Sequence, residues 1–331
     1  MLPAFLATLL FSVSVIAASR STRLLGANAA NFGRTIVAVI LLGVWAFTLG
    51  LGFGGGAFRW FFLSGMIGFG VGDMALFHAF PRLGPRLCSL LINCLAAPFG
   101  AIVEWAWLGT GLSAVQVLCG MAILSGVGLA LAPETNSQLP VRYGKSRLMG
   151  ICYGTLAGFG QGLGAVVSRK AYAVASASGW SVDGGTAAFQ RILGGLLIVS
   201  VPVLWLQGRG FLKQWFDARS TAKASERKSD AEVRSEKSAN GNAVSSDARD
   251  ERRRALFWVL LNGLAGPTVG VAFYQWALRT TPSGLVLAIT STTPLVVIPF
   301  AYWFEKDRPG PRSIAGAVIA VAGVVVLAFA R

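Results

Sequence analysis

Residues Tyr274 to Phe329 read YQWALRTTPSGLVLAITSTTPLVVIPFAYWFEKDRPGPRSIAGAVIAVAGVVVLAF. They comprise two apolar runs, each long enough to cross a bilayer as a helix, joined by the charged turn Glu305-Lys306-Asp307-Arg308-Pro309-Gly310-Pro311-Arg312. The same layout recurs in Ala75 to Leu131. There a Pro/Arg link (Pro81, Arg82, Pro85, Arg86) leads into an apolar run broken by Pro98, a tight turn and a Gly-containing apolar run. Pro98 to Gly120 and Pro294 to Gly316 have equal spacing, so the chain reads as duplicated.

Composition agrees with a membrane protein. Of 331 residues, 54% are hydrophobic and 13% charged, against about a quarter charged in an ordinary soluble domain. The net charge of +15 lies mostly in short links and one polar loop, where it reads as a topology signal and not as a nucleic-acid surface. The four cysteines (Cys88, Cys94, Cys119, Cys152) have no CxxC spacing and read as small buried hydrophobes.

Apolar spans are expected near 2–18, 34–51, 60–80, 87–108, 114–132, 148–167, 189–207 and 255–278, followed by the two of the opening stretch. The small residues Ala17-Ala18-Ser19 resemble a leader cleavage site, but the basic start of a leader is missing and the duplication needs this helix. The expectation is an all-α integral membrane protein of about ten transmembrane helices in two five-helix repeats. Residues 1–133 form the first repeat, 134–147 a link, and 148–331 the second repeat with a polar insertion at 208–254. Arg34 and Arg191, each on the second helix of its half, are offset by 157 residues, and Pro98 and Pro294 by 196. The difference is close to the length of the polar loop. Five is odd, so the copies must be inverted relative to each other, the plan of many secondary transporters.

Lys and Arg number about 23 on the side of the loops after odd spans and about 6 on the other. This puts the 208–254 loop, expected to be disordered, in the cytoplasm of a cell (inner) membrane protein, and both termini outside.

The ordered set of features resembles the EamA-like permeases of the drug/metabolite transporter superfamily. It consists of the duplicated five-helix unit, the paired arginines, AL-x-x-TP-S-G at Ala277 to Gly284, Pro294, and WFEKDRPGPR followed by Gly316 and Gly323. Asp307-Arg308 stands at that family's acidic-Arg turn, and Gly111 takes the matched place in the first copy. The resemblance implies a transporter of small metabolites, often outward and including amino acids, with cytoplasmic termini, contrary to the charge count.

Polar groups inside the spans are the candidate site, because a charge at mid-bilayer costs about 2.5–3.5 kcal/mol unless it faces a bundle interior or a wet cavity. Asp73 is the most central acid and the expected proton or substrate site, with a structural pairing as its competitor. No basic residue lies in the apolar middle of any expected span to pair with it, and Arg34 and Arg191 read as helix-end anchors. His78 and Glu104 complete the proton-coupling candidates. Imidazole is the side-chain type that changes charge near neutral pH, and Glu104 beside Trp105 and Trp107 also reads as an interfacial anchor. Asn93, Gln161, Asn262, Tyr274, Gln275, Thr290 and Ser291 are candidate substrate-binding groups, with interhelical bonding as the alternative. Pro98, Pro267 and Pro294 would free backbone carbonyls in the fourth, eighth and ninth spans.

Other functions fit less well. Ser64 and His78 fall fourteen positions apart on one helix, roughly 20 Å along its axis, too far for a nucleophile and its base. HExxH, GxSxG and P-loop patterns are absent, and a single histidine cannot build a His-based metal site. Gly50 to Gly55 matches GxGxxG, but it follows a membrane helix and not a strand. No enzyme activity, cofactor or metal is expected. A membrane scaffold without transport is the competing class, and an intramembrane enzyme the weakest. The expected partners are the bilayer and a small metabolite, not nucleic acid, with a homodimer as an open assembly state.

Overall fold

The computed structural model describes residues 2–108, 113–131, 143–205, 252–280, 286, 289–305 and 310–329. Among these, every regular element is helical: α1 Leu2–Leu25, α2 Ala27–Thr48, α3 Phe58–Gly65, a π-helical segment Met66–Gly72, α4 Asp73–Leu108, α5 Ala114–Leu131, α6 Tyr143–Ala177 and α7 Gly184–Trp205. After these come α8 (252–263), a second π-helical segment Leu264–Gly270, α9 Val271–Thr280, α10 Thr293–Glu305 and α11 Pro311–Phe329. Among the described residues, five stretches are long and apolar enough to cross a membrane: Leu2–Leu25, Ala27–Thr48, Phe58–Trp107, Gly184–Leu204 and Arg252–Ala277. The chain is an all-α, multi-pass membrane protein.

Several boundaries differ from the sequence reading. α2 starts at Ala27 instead of near Arg34, and α7 at Gly184 instead of near Phe189. α4 is two helices merged across a kink at Gly84, whose φ of 74° and ψ of 171° suit glycine. Pro81, Pro85 and Pro98 all lie within it. Pro267 falls in the second π-helical segment, as a helix-weakening residue should. Pro294 stands in the first turn of α10, where its missing N–H costs no helical bond, so its expected mid-helix break sits instead in the Ser291-Thr292 turn just before it. The polar insertion at 208–254 lies almost wholly outside the described residues.

The polarity of this bundle is that of a protein solvated by lipid. Ile40, Val44, Phe47, Leu118, Leu204 and Trp303 are well exposed, whereas Ser12, Asn31, Arg34, Ser64, Asp73, Ser168, Gln190, Arg191, Asn262 and Gln275 are buried. The apolar side chains can face lipid directly, and the polar ones find partners inside. Cys88, Cys94 and Cys119 are buried, as the sequence suggested, and Cys152 faces outward.

Small residues set the distances between helices. A methyl on Gly65 would stand 1.7 Å from the Arg191 carbonyl oxygen, and one on Gly160 2.8 Å from the Gly72 Cα, so α3 and its π segment lie backbone to backbone against α7 and α6. α5 packs on α11 through Gly126 and Gly316, and α4 on α6. α1 packs on α10 and on the second π segment, and α2 on α7 and that same segment.

At one end of the bundle, Asp183 caps α7. Its carboxylate accepts from the Thr186 N–H at 2.9 Å, from the Thr186 hydroxyl, and from Trp45 Nε1 at 3.1 Å. The glycine-rich link after α2 seats Gln190, whose Nε2 donates to the Gly52 and Gly54 carbonyls at 2.9 Å each. This gives the GxGxxG-like run a structural use. At the other end Arg86 donates to Ser313, and the Ser313 hydroxyl donates to the Ala130 carbonyl, which ties α4, α11 and α5 together.

Candidate functional site

Asp73 opens α4 immediately after the π-helical segment and is buried. The close contact of Gly72 with Gly160 brings the next residue of each helix together, and Gln161 Nε2 donates to Asp73 Oδ1 at 3.3 Å. The other carboxylate oxygen forms an ion pair with Arg34 Nη2. Arg34 also donates from Nε to Asn31 Oδ1 at 3.0 Å, and its guanidinium lies 4.6 Å from the centre of the Phe77 ring.

This pair corrects the reading of Arg34 as a helix-end anchor. Because α2 begins seven residues earlier than expected, Arg34 is the eighth residue of its helix, about 10 Å in along the axis. It can therefore reach the acid for which the sequence offered no partner. Arg191 is corrected in the same way. It is the eighth residue of α7 and only 3% exposed. Its guanidinium lies 5.2 Å from the Phe69 ring centre, with Tyr274, Tyr172 and Asp73 in electrostatic reach, and its Nε has no hydrogen-bond partner.

A second polar group joins three helices beside this one. The Ser64 hydroxyl donates to the Gly164 carbonyl at 2.6 Å and lies 3.2 Å from the Ser168 hydroxyl, which accepts from Gln275 Nε2 at 3.4 Å. Ser64 is thus held in a helix contact, and among the described residues no base bonds its hydroxyl. Buried Tyr172 Oη and Gln275 Oε1 have no hydrogen-bond partner.

The structure therefore brings Asp73 and Gln161 together directly and places Tyr274 and Gln275 within the same central region through Arg191 and Ser168. It leaves the others apart. Asn262 accepts at Oδ1 from the Ser14 hydroxyl at 2.8 Å, binding α8 to α1. Asn93 donates to the Ser89 carbonyl one turn back at 2.9 Å. Thr290 donates to the Val286 carbonyl at 3.0 Å, and Ser291 is buried in the turn before α10. His78 bonds through Nδ1 with the Met74 carbonyl at 2.8 Å, its ring centre 5.5 Å from that of Tyr153. The Glu104 side chain lies outside the described residues. Among the described residues, no group of three or more His, Cys, Asp and Glu side chains could hold a metal.

The residues the sequence reading underrated are Arg34, Arg191, Tyr172 and Ser168. The signal for the two arginines is their matched position in the duplicated halves, which a late hydropathy-based helix start makes look like a helix end. Tyr172 and Ser168 carry no comparable signal, since their roles depend on which face of a long helix turns inward.

Comparison with known proteins agrees with this picture. No curated relative matches the chain. A solved structure, given only as "Crystal structure of protein", superposes with a TM-score of 0.53 over 97% of this chain and 95% of that one. At 14% identity the likeness speaks for the fold alone. Residues 243–329 match the family model for the EamA-like transporter family. That match supports the chain as an EamA-like member of the drug/metabolite transporter superfamily.

Proposed function

We propose that this protein is a secondary transporter of small metabolites, built from two inverted five-helix repeats (1–133 and 148–331, linked by 134–147) and working by alternating access. The observation that carries the reading is the reciprocity of its helix contacts. If the halves are exchanged, the contact of α1 with the second π segment maps onto that of α6 with the first, and the contact of α2 with the second π segment onto that of α7 with the first. Likewise α4 on α6 maps onto α10 on α1, while α2 with α7 and α5 with α11 map onto themselves. Arg34 and Arg191 hold equal depth in matched helices. Inverted repeats have this exchange property, and their substrate sites lie where the halves meet near mid-membrane.

The substrate site then lies among Asp73, Gln161, Tyr274, Gln275 and the facing arginines, with Asn93, Asn262, Thr290 and Ser291 in the surrounding helices and turn. Amino acids and related compounds are the class the family resemblance implies, and export is the direction. The protein acts in the cell (inner) membrane with the 208–254 loop in the cytoplasm. Asp73, with His78 and Glu104 toward its helix ends, would carry any proton coupling. Uptake of a broad labelled metabolite panel into proteoliposomes tests the reading. Saturable flux of at least one compound is expected, and neither flux nor ligand-dependent stabilisation for any would favour a scaffold.

A further inference from the structure

The buried centre holds two guanidinium groups and one carboxylate. Arg34 forms the ion pair with Asp73, and among the described residues no other carboxylate lies in reach of Arg191. The cation–π contact of Arg191 with the Phe69 ring offsets only part of what a buried charge without a counter-ion costs. Several buried polar atoms in the described helices have no hydrogen-bond partner, and three of them belong to Arg191, its electrostatic neighbour Tyr172 and Gln275. Arg191 Nε and Tyr172 Oη are donors, and Gln275 Oε1 is an acceptor whose amide nitrogen bonds Ser168, one turn from Tyr172 on α6. All three are closed off from solvent in this arrangement.

We infer that Arg191, with Tyr172, binds the carboxylate or phosphate group of an anionic metabolite, and that Gln275 Oε1 accepts from a hydroxyl or amide on the same molecule. The inference rests on the transporter reading and narrows its substrate class from amino acids and related compounds in general to those with net negative charge. The fork of a guanidinium suits an oxyanion, and the phenol supplies a further donor. Among the described residues, the one carboxylate that could receive a ligand ammonium is held by Arg34 and Gln161, so the site favours net anions over cations and zwitterions.

The test uses the full chain in nanodiscs of zwitterionic lipid and reads ligand-induced shifts in Tm. Probes come as matched pairs: succinate and succinamide, lactate and lactamide, glycerol 3-phosphate and glycerol, with glycine as the zwitterion and putrescine as the cation. At least one anion should raise Tm while its neutral partner, glycine and putrescine do not. R191Q should abolish that shift and R191K keep part of it. Equal shifts from the neutral partners, or a shift retained in R191Q, would overturn the inference. If R191Q does not fold, the wild-type pairs decide alone. Stabilisation that appears only in nanodiscs containing phosphatidylglycerol would assign the counter-ion to a lipid headgroup and overturn it too. Flux of neutral or cationic compounds with no anion bound would sink the anion site and leave the transporter reading standing. Failure of every compound to bind or move would remove both.

Discussion

Asp73→Asn changes one heavy atom and leaves the amide able to bond Gln161, but it strips from two buried guanidinium groups the one carboxylate that, among the described residues, lies in their reach. Wild type carries a balance of one positive charge at the centre; the Asn variant carries two. Arg34→Gln instead leaves Asp73 facing Arg191, which already lies in its electrostatic reach, so the balance falls to zero. Arg191→Gln also reaches zero, with the Arg34–Asp73 pair intact. Breaking a buried pair from one side costs about 3–5 kcal/mol, and the remaining charges grade the variants within that range. Stability should therefore run from Arg191→Gln, equal to or above wild type, through Arg34→Gln to Asp73→Asn, the last losing roughly 10 °C in Tm. The double variant Arg34→Gln/Asp73→Asn should recover about 1 kcal/mol or more relative to the sum of its parts, because neither charge is left stranded. Tryptophan fluorescence against temperature in detergent provides the readout. An Asp73→Asn protein as stable as wild type, or an Arg34→Gln protein less stable than Asp73→Asn, would refute this reasoning.

Other expectations follow from the same structure. Gly65→Ala should destabilise by about 1–3 kcal/mol or prevent folding, as its methyl would meet the Arg191 carbonyl, whereas Gly128→Ala, with nothing within 4 Å, should be neutral or gain up to about 1 kcal/mol; thermal denaturation of the two variants compares them. Removing the α7 cap in Asp183→Ala should cost about 1 kcal/mol. Although burial alone would raise the Asp183 pKa, the hydrogen bonds from Thr186 and Trp45 outweigh it and hold it below the usual carboxylate value. The cap's contribution is then complete above the unfolded carboxylate value near 3.9 and lost as pH falls through the lower folded value, so the gap in Tm between wild type and Asp183→Ala should narrow only in that acid window. A cysteine placed within 208–250 should react with an impermeant maleimide only after the cells are opened, and labelling of intact cells would reverse the assigned orientation.

Much of the fold was legible because lipid imposes simple rules. The apolar runs, the glycines that let backbones meet and the matched Arg and Pro positions all followed from what a helix in hydrocarbon requires. Helix starts were harder. α2 and α7 open with Ala27-Asn28-Ala29 and Gly184-Gly185-Thr186, mildly polar segments that hydropathy places outside the span, and that offset hid the partner of Asp73. Asp73 and Gln161 could be picked individually, but their meeting depends on the Gly72–Gly160 approach, a tertiary contact. Asn93 and Thr290 show the opposite outcome: each satisfies its side chain on a carbonyl of its own helix or turn one step back, so a polar residue within a span need not face a site.

The central claim, that this bundle moves a small molecule, is tested most directly by flux into proteoliposomes containing purified wild type or Asp73→Asn, loaded with a labelled panel spanning anionic, neutral and zwitterionic metabolites. The account predicts saturable wild-type transport of at least one compound, and transport abolished or stripped of its pH dependence in whatever fraction of Asp73→Asn protein remains folded. No transport of any compound by well-folded wild type, or normal pH-dependent transport by folded Asp73→Asn, would contradict it.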